Sequence, residues 1–576
     1  MVKFNFIYRR VSKLHSTRIE HIIKDTNIKR DKKISNFIEK TRNVVSDGNA
    51  KTIIDSDIIS LLDLIKNKKV KCSEVLVAYA RRAGTIGKDL NLIADVNFED
   101  AFSQSQLADK DIADGKNIKP LHGIPVSFYE QISVKGMLTT CGYSEYHNRV
   151  NSSDSLYAKI LRDLGAIPFL KSNIPQGFMS LEASNFIWGT AINPWNPNKT
   201  AGGSNGGEAG LIASRCSPLG IGGDLFGSIR NPCNFTGVYG YKPTSNKNSK
   251  FGGITYNGTP FLGATAIQTS WGPIARSARD ILHVAKAVTG KFDLDNYTNN
   301  SPFNEKVFNE EFNSKPLVGV ITDSNYIKSA PCIKEAIQKT SDYLNNKGFI
   351  VNEFPLKFFK ELIEVGNELM INSDAIEWID KERGEEDLAF YHKPILKMRE
   401  NIRKNTHNSN KIINSSDRLE YFIDSHKILS RSEYIEKIKR FNELKSEFAN
   451  FWRSKNYYGL ISPVWSVPAT NHGVSQKILP FADLCFLENY ADMPACAIPL
   501  YLNKNIDVEE TITDKLSNTL IENTISSMNV PIGIQVAAIS GEDEKMLRLM
   551  KVISEQFKFE DNEGFKVHDF IGKTKL

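Results

Sequence analysis

Two serines, Ser204 and Ser228, stand in a stretch from Gly202 to Gly240 that reads GGSNGGEAGLIASRCSPLGIGGDLFGSIRNPCNFTGVYG. Eleven of its 39 residues are glycine, against 37 in all 576. Glycine is entropically costly in regular elements, so this density points to backbone in unusual conformations or pressed close to a neighbour. Each serine follows a glycine, and the N–H groups of such turns converge as acyl transfer to a serine requires. A flexible glycine-rich linker would lack the interleaved Leu211, Ile212, Leu219 and Ile221. Residues Gly202 to Gly206 also satisfy the G-x-S-x-G pattern of a nucleophile elbow, which needs a strand before it and a helix after. The preceding Asn193-Pro194-Trp195-Asn196-Pro197-Asn198 is a loop, so that reading fails.

LHGIPVS at 121–127, SNIPQGFMSLEASN at 172–185, NPW at 193–195, GGSNGG at 202–207, a D-x-x-G-S-I-R segment at 224–230 and YKPT at 241–244 follow in order. This succession resembles the amidase signature family over about residues 51–576, and within it the eukaryotic fatty acid amide hydrolases. The resemblance implies an α/β chain with the amidase signature fold, a large mixed, mostly parallel sheet covered by helices on both faces. It also implies hydrolysis of fatty acid amides through an acyl-serine intermediate. Ser228 falls on the nucleophile and Ser204 on a bridging serine held in a cis peptide. Leu225, Phe226, Gly227 and Ser228 fall on the oxyanion hole. Phe178, Met179, Ser180 and Leu181 lie where those hydrolases line an acyl channel, and Phe486 near another channel position. Buried core is an equally good reading of these apolar side chains.

One position departs from the family. Its base is a lysine two residues after the serine of GIPVS, and here Ser127 is followed by Phe128 and then Tyr129. A desolvated neutral lysine can take a serine proton through a bridging hydroxyl. A tyrosine, with an ordinary pKa near about 10, is mainly a hydrogen-bond donor and would need to be a phenolate. General-base assistance is worth about 10²–10⁴ in rate, so weak or lost activity is expected. The alternative is a catalytically inactive pseudoenzyme that binds acyl amides or acts as a scaffold. Lys135 belongs to a segment that the family carries beside an intact base, and reads as a solvated lysine near a turn. Three smaller departures read as partial erosion: Asn205 for a serine, Gly223 for a threonine, and Phe226 for a glycine. A phenylalanine cannot take positive φ cheaply, so Phe226 predicts a distorted oxyanion loop.

The composition, 41% hydrophobic and 24% charged, is that of a globular protein with an ample core. Seven cysteines without a CxxC pair suggest reduced thiols inside a cell. Twelve Lys or Arg against four Asp or Glu in residues 1–43 exceed the whole chain's net +6, leaving the rest about neutral. The domain reading is a basic N-terminal extension over 1–50 and an amidase signature domain over 51–576, with a polar, basic cap-like segment at about 390–430. No apolar run reaches the roughly 18–20 residues of a transmembrane helix, so the expected location is cytoplasmic or peripheral on a membrane. The expected partner is a small-molecule fatty acyl amide, with peripheral membrane contact and a homodimer left open. No nucleic-acid module accompanies the charge, and no metal or cofactor motif occurs.

Ile58, Leu61, Leu62 and Ile65 predict a helix over 55–66, and Ser73 a helix cap for a second helix ending at Arg82. Asp154–Leu164 reads as a helix before a strand, Ala166–Leu170. Leu317–Thr322, a helix from Ala330 and Phe349–Phe354 read as a β-α-β unit. Pro531–Val536 alternates as a strand, and Met546, Leu549, Met550, Ile553 and Phe557 form a helical stripe of core.

Overall fold

A computed structural model describes residues 17–254, 267–311, 314–325, 327–372, 429–475, 482–504, 506 and 515–559. The strands of its first half are β1 (Ile93–Val96), β2 (Pro125–Tyr129), β3 (Ile167–Ser172), β4 (Ser184–Asn185), β5 (Gly189–Thr190), β6 (Leu219–Asp224), β7 (Tyr239–Lys242) and β8 (Ser270–Ala275). Those of its second half are β9 (Leu317–Val320), β10 (Ile350–Glu353), β11 (Tyr457–Ser462), β12 (Ala495–Leu502) and β13 (Pro531–Ala537). Except for the β4–β5 pair, they form one 11-stranded mixed sheet in the order β1-β3-β2-β6-β8-β7-β12-β13-β11-β9-β10. Parallel pairing joins β3, β2 and β6, and again β11, β9 and β10; the remaining neighbours are antiparallel.

At β13 both faces of the sheet are covered. Ile532, Ile534 and Val536 pack with Ile333 and Ile337 of the helix Pro331–Asn346 and with Met546 and Leu549 of the helix Asp543–Gln556. Gln535, on the opposite face, meets Arg230 at 2.7 Å. The predicted β-α-β unit is present as β9, the helix Pro331–Asn346 and β10, with the two strands parallel.

The first helices are α1 (Thr17–Lys40), α2 (Asp47–Asp55), α3 (Ile58–Lys66) and α4 (Cys72–Arg82). In α3, Asp57 caps the start by accepting from Ser60 N at 3.0 Å, and Ile58, Leu61 and Ile65 are buried. Ser73 is not the cap of α4. The helix begins one residue earlier, where Lys71 N donates to Glu74 Oε2 at 2.8 Å, and Ser73 Oγ donates to Asp109 at 2.6 Å. Asp109 lies on α5 (Phe98–Ala113), and Ser155 caps α6 (Leu156–Asp163).

The charge reading of residues 1–50 leaves out the apolar face of α1. Ile19, Thr26, Ile34 and Phe37 are buried there, and Lys33 reaches the buried Asp95 of β1 at 3.0 Å. Arg30 bonds Ile93 O at 2.9 Å and stands over the Trp188 ring. The cap-like segment lies outside the described residues apart from its last two. Among the described residues no helix is long and apolar enough to cross a membrane.

Candidate active site

Tyr129 ends β2, and Ser127 and Tyr129 share one face of it by strand alternation. Tyr129 is buried, its ring 6.0 Å from that of Phe178. Beneath it, Ser127 Oγ donates to Glu208 Oε1 and lies 2.9 Å from Ser217 Oγ. Glu208 sits on α7 (Gly206–Ala213), and β6 approaches it so closely that a Cβ on Gly220 would come within 2.5 Å of its carboxylate. Burial outweighs the hydrogen bonds from Ser127 and Ser172 and pushes the Glu208 carboxyl up to about 8, so it is neutral at pH 7.

Ser204 is buried just before α7 and follows a cis peptide from Gly203. A Cβ at Gly203 would lie 2.4 Å from Ser180 O and 2.5 Å from Glu182 N, so only glycine lets this turn rest on the segment holding Ser180 and Leu181. Asn205 then joins two loops. Its Nδ2 donates to Gly223 O and to Ser228 O, both at 2.6 Å, its Oδ1 accepts from Gly223 N at 3.0 Å, and its own N–H reaches Ser228 O at 3.2 Å. The side chain expected as erosion is a clamp between the Ser204 turn and the Ser228 loop. Its amide, with donors and an acceptor, can serve both sides of the join.

The Ser228 loop runs from β6 into α8 (Arg230–Thr236) around Asp224. Asp224 accepts from Gly227 N at 2.7 Å, Ile229 N at 3.2 Å, Arg230 Nε at 3.0 Å and Asn489 Nδ2 at 2.9 Å. Burial opposes its charge, but Arg230 holds the carboxyl below its ordinary value. Arg230, fully buried, also bonds Glu488 at 2.9 Å, Cys485 O at 2.8 Å and Asn489 at 2.6 Å. Among the described residues no hydrogen bond engages the N–H groups of Leu225, Phe226 or Ser228.

The positive φ of this loop is at Gly227 (+86°), not at Phe226, which removes the predicted distortion. A side chain at Gly227 would run into Cys485 Sγ, 1.9 Å from its Cβ position. The Phe226 ring instead rests on Phe486 and Tyr490, with centroids 5.4 and 6.2 Å away. Phe486 is thereby a fully buried backing for the loop. Phe178 and Leu181 are buried and Met179 is half-buried.

Of the lysines considered as substitutes for the missing base, one is exposed and two are bonded elsewhere. Lys135 is exposed. Lys171 on β3 is in register with Phe128, while Ser172 is in register with Tyr129, so Lys171 faces the other side of the sheet. There it donates to Leu138 O at 2.9 Å and Thr139 Oγ1 at 2.5 Å, and burial brings it down to about 8. Lys199, also lowered to about 8 by burial, gives its ammonium to Asn523 O, Ser526 and Ser527 at 2.8–3.0 Å. Among the described residues no lysine bonds Ser204 or Ser228.

Sequence reasoning passed over Glu208 and the pair Glu182–His472. Glu208 follows Ser204 by four residues within the glycine-rich stretch, a signal that was available. The partners Glu182 and His472 are 290 residues apart, and no local pattern connects them.

The amidase family model matches residues 74–547, and the chain belongs to that family. It is an amidase signature hydrolase related to the fatty acid amide hydrolases. It is 27% identical over 532 residues to fatty acid amide hydrolase 1 of Caenorhabditis elegans, covering 86% of this chain and 87% of the relative. It is 33% identical over 339 residues to the vitamin D3 hydroxylase-associated protein of Gallus gallus, covering 58% and 70%. A solved fatty acid amide hydrolase superposes with a TM-score of 0.78 at 21% identity, over 96% of this chain and 97% of that one.

Proposed function

We propose that the chain is an amidase-type serine hydrolase of fatty acyl amides, with weak turnover because Tyr129 stands where the family places its lysine. The observation that carries the reading is the joined pair of loops. Asn205 ties the Ser204 turn to the Ser228 loop, and three N–H groups of that loop are unclaimed among the described residues. Ser228 Oγ attacks the amide carbonyl carbon, its proton passes toward Ser204, and the oxygen gains its negative charge beside Leu225, Phe226 and Ser228. Preorganised donors of this kind supply a large part of acyl-transfer catalysis. The amine then leaves with a proton, and water releases the acid from Ser228. Phe178, Met179, Leu181 and Phe486 supply apolar surface for an acyl chain, and a peripheral membrane contact fits a substrate of that class.

A second reading, an acyl-amide-binding or scaffold pseudoenzyme, is favoured by Tyr129 alone. A serine-directed fluorophosphonate separates the two, since it reacts with an activated hydroxyl. Slow labelling of the full chain, abolished in Ser228→Ala, is expected. Absence of labelling in a chain that still binds a long-chain primary amide gives the pseudoenzyme.

A further inference from the structure

The turn that backs Ser204 is tied to a histidine from the far end of the chain. Glu182, fully buried, holds His472 Nδ1 with one carboxylate oxygen and Gly473 N at 2.9 Å with the other. The second ring nitrogen, Nε2, lies 3.2 Å from Pro197 O. A carboxylate and a carbonyl only accept, so both contacts are satisfied together only when both ring nitrogens carry protons. With both protons in place, His472 is an imidazolium bonded on two sides. Burial works against that charge, but Glu182 and the Pro197 carbonyl prevail and hold its pKa above the ordinary value.

Both of its partners lie on segments that flank the Ser204 turn. Glu182 N lies against Gly203, and Ala183 N donates to Gly202 O at 3.1 Å. Pro197 begins the run into Lys199 and Thr200, and Thr200 N donates to Thr470 O at 2.9 Å beside the Lys199–Asn471 bridge. The other charges on the packed elements are few. Lys199 turns its ammonium to Asn523, Ser526 and Ser527, Glu522 is exposed, and residues 463–475 carry no further charge.

We infer that His472 is a positioning residue for the site, its doubly bonded ring fixing the two segments that flank the Ser204 turn. This rests on the reading of Ser204 as part of the site. The sign of its pH dependence follows from the geometry. Below the ordinary histidine range both bonds are in place. As pH rises through the raised pKa, the ring loses a proton and keeps one partner, so the turn loosens.

Hydrogen exchange of the purified full chain tests this, followed by mass spectrometry and corrected for the intrinsic pH dependence of exchange. Peptides over 178–185 and 196–206 should exchange about tenfold faster in His472→Ala, the scale of one lost bond to a charged group. In the unmodified chain they should speed up as pH rises through the titration. His472→Gln keeps a donor without a titrating charge and should abolish that pH step. Peptides of the helix Pro331–Asn346 should not change. An unaltered pH step in His472→Gln, unaltered exchange in His472→Ala, or equal acceleration everywhere would overturn the inference. Fluorophosphonate labelling of the same samples separates the two claims. If no version labels Ser228, the acyl-serine reading falls, while the exchange result stands for or against His472.

Discussion

The two sides of the site are built from different material. Ser228 stands on a loop organised by buried charge, in which one carboxylate, Asp224, gathers three backbone N–H groups and the side chains of Arg230 and Asn489. Tyr129 stands on the end of a strand inside an apolar cluster, beside Phe178 and above a neutral carboxyl. A charged network fixes donor directions and leaves some N–H groups for a ligand. An aromatic wall fixes a shape and offers no strong base at neutral pH. In the proposed reaction the oxyanion donors and the base are thus separable, since Tyr129 has no part in the Asp224 network.

Variants sharpen this contrast. Arg230→Ala leaves Asp224 and Glu488 buried without their cation and should cost about 3–5 kcal/mol in urea unfolding, the usual penalty for half a buried pair. Asn205→Ala removes the clamp and should cost about 2 kcal/mol. Asn205→Ser, which restores the family residue, should recover part of that loss, and fluorophosphonate labelling of Ser228 should follow the same order. The neutral carboxyl gives the smallest effect. The folded state holds the Glu208 proton up to about pH 8, whereas the unfolded chain releases it near its ordinary value of 4.5. Over that window the folded state binds more protons, so this group's contribution to stability falls as pH rises. Glu208→Gln should therefore gain on the parent between pH 5 and pH 8 by at least about 1.4 kcal/mol, one unit of pKa. Parallel stabilities at the two values would show that Glu208 is not the buried acid described here.

Local elements were legible where one segment decides them. The spacing of Ile58, Leu61 and Ile65 and the β-α-β run around Pro331–Asn346 correspond to observed elements. Tertiary contacts set what was missed. Ser73 has a good capping side chain, but Asp109 takes its hydroxyl and Glu74 caps from within the helix. Phe226 in place of a glycine predicts a strained loop; the left-handed residue is its neighbour Gly227, which Cys485 from a distant helix leaves no room to enlarge. Asn205 is a departure in sequence and a joint in space. Its role depends on two carbonyls that lie 18 and 23 residues further on. The basic composition of the N-terminal segment hides the four buried residues of α1.

In the proposed reaction the donor side of the site is intact and the other side lacks only its base. Hydrolysis of a long-chain primary fatty amide by the full chain, its Tyr129→Lys variant and a Tyr129→Lys, Ser228→Ala double variant tests it most directly. A rise of about 10²–10⁴ is expected in Tyr129→Lys, the worth of general-base assistance, and its loss in the double variant. Turnover by the unmodified chain that Tyr129→Lys lowers would contradict it, and would make Tyr129 the working group of the site.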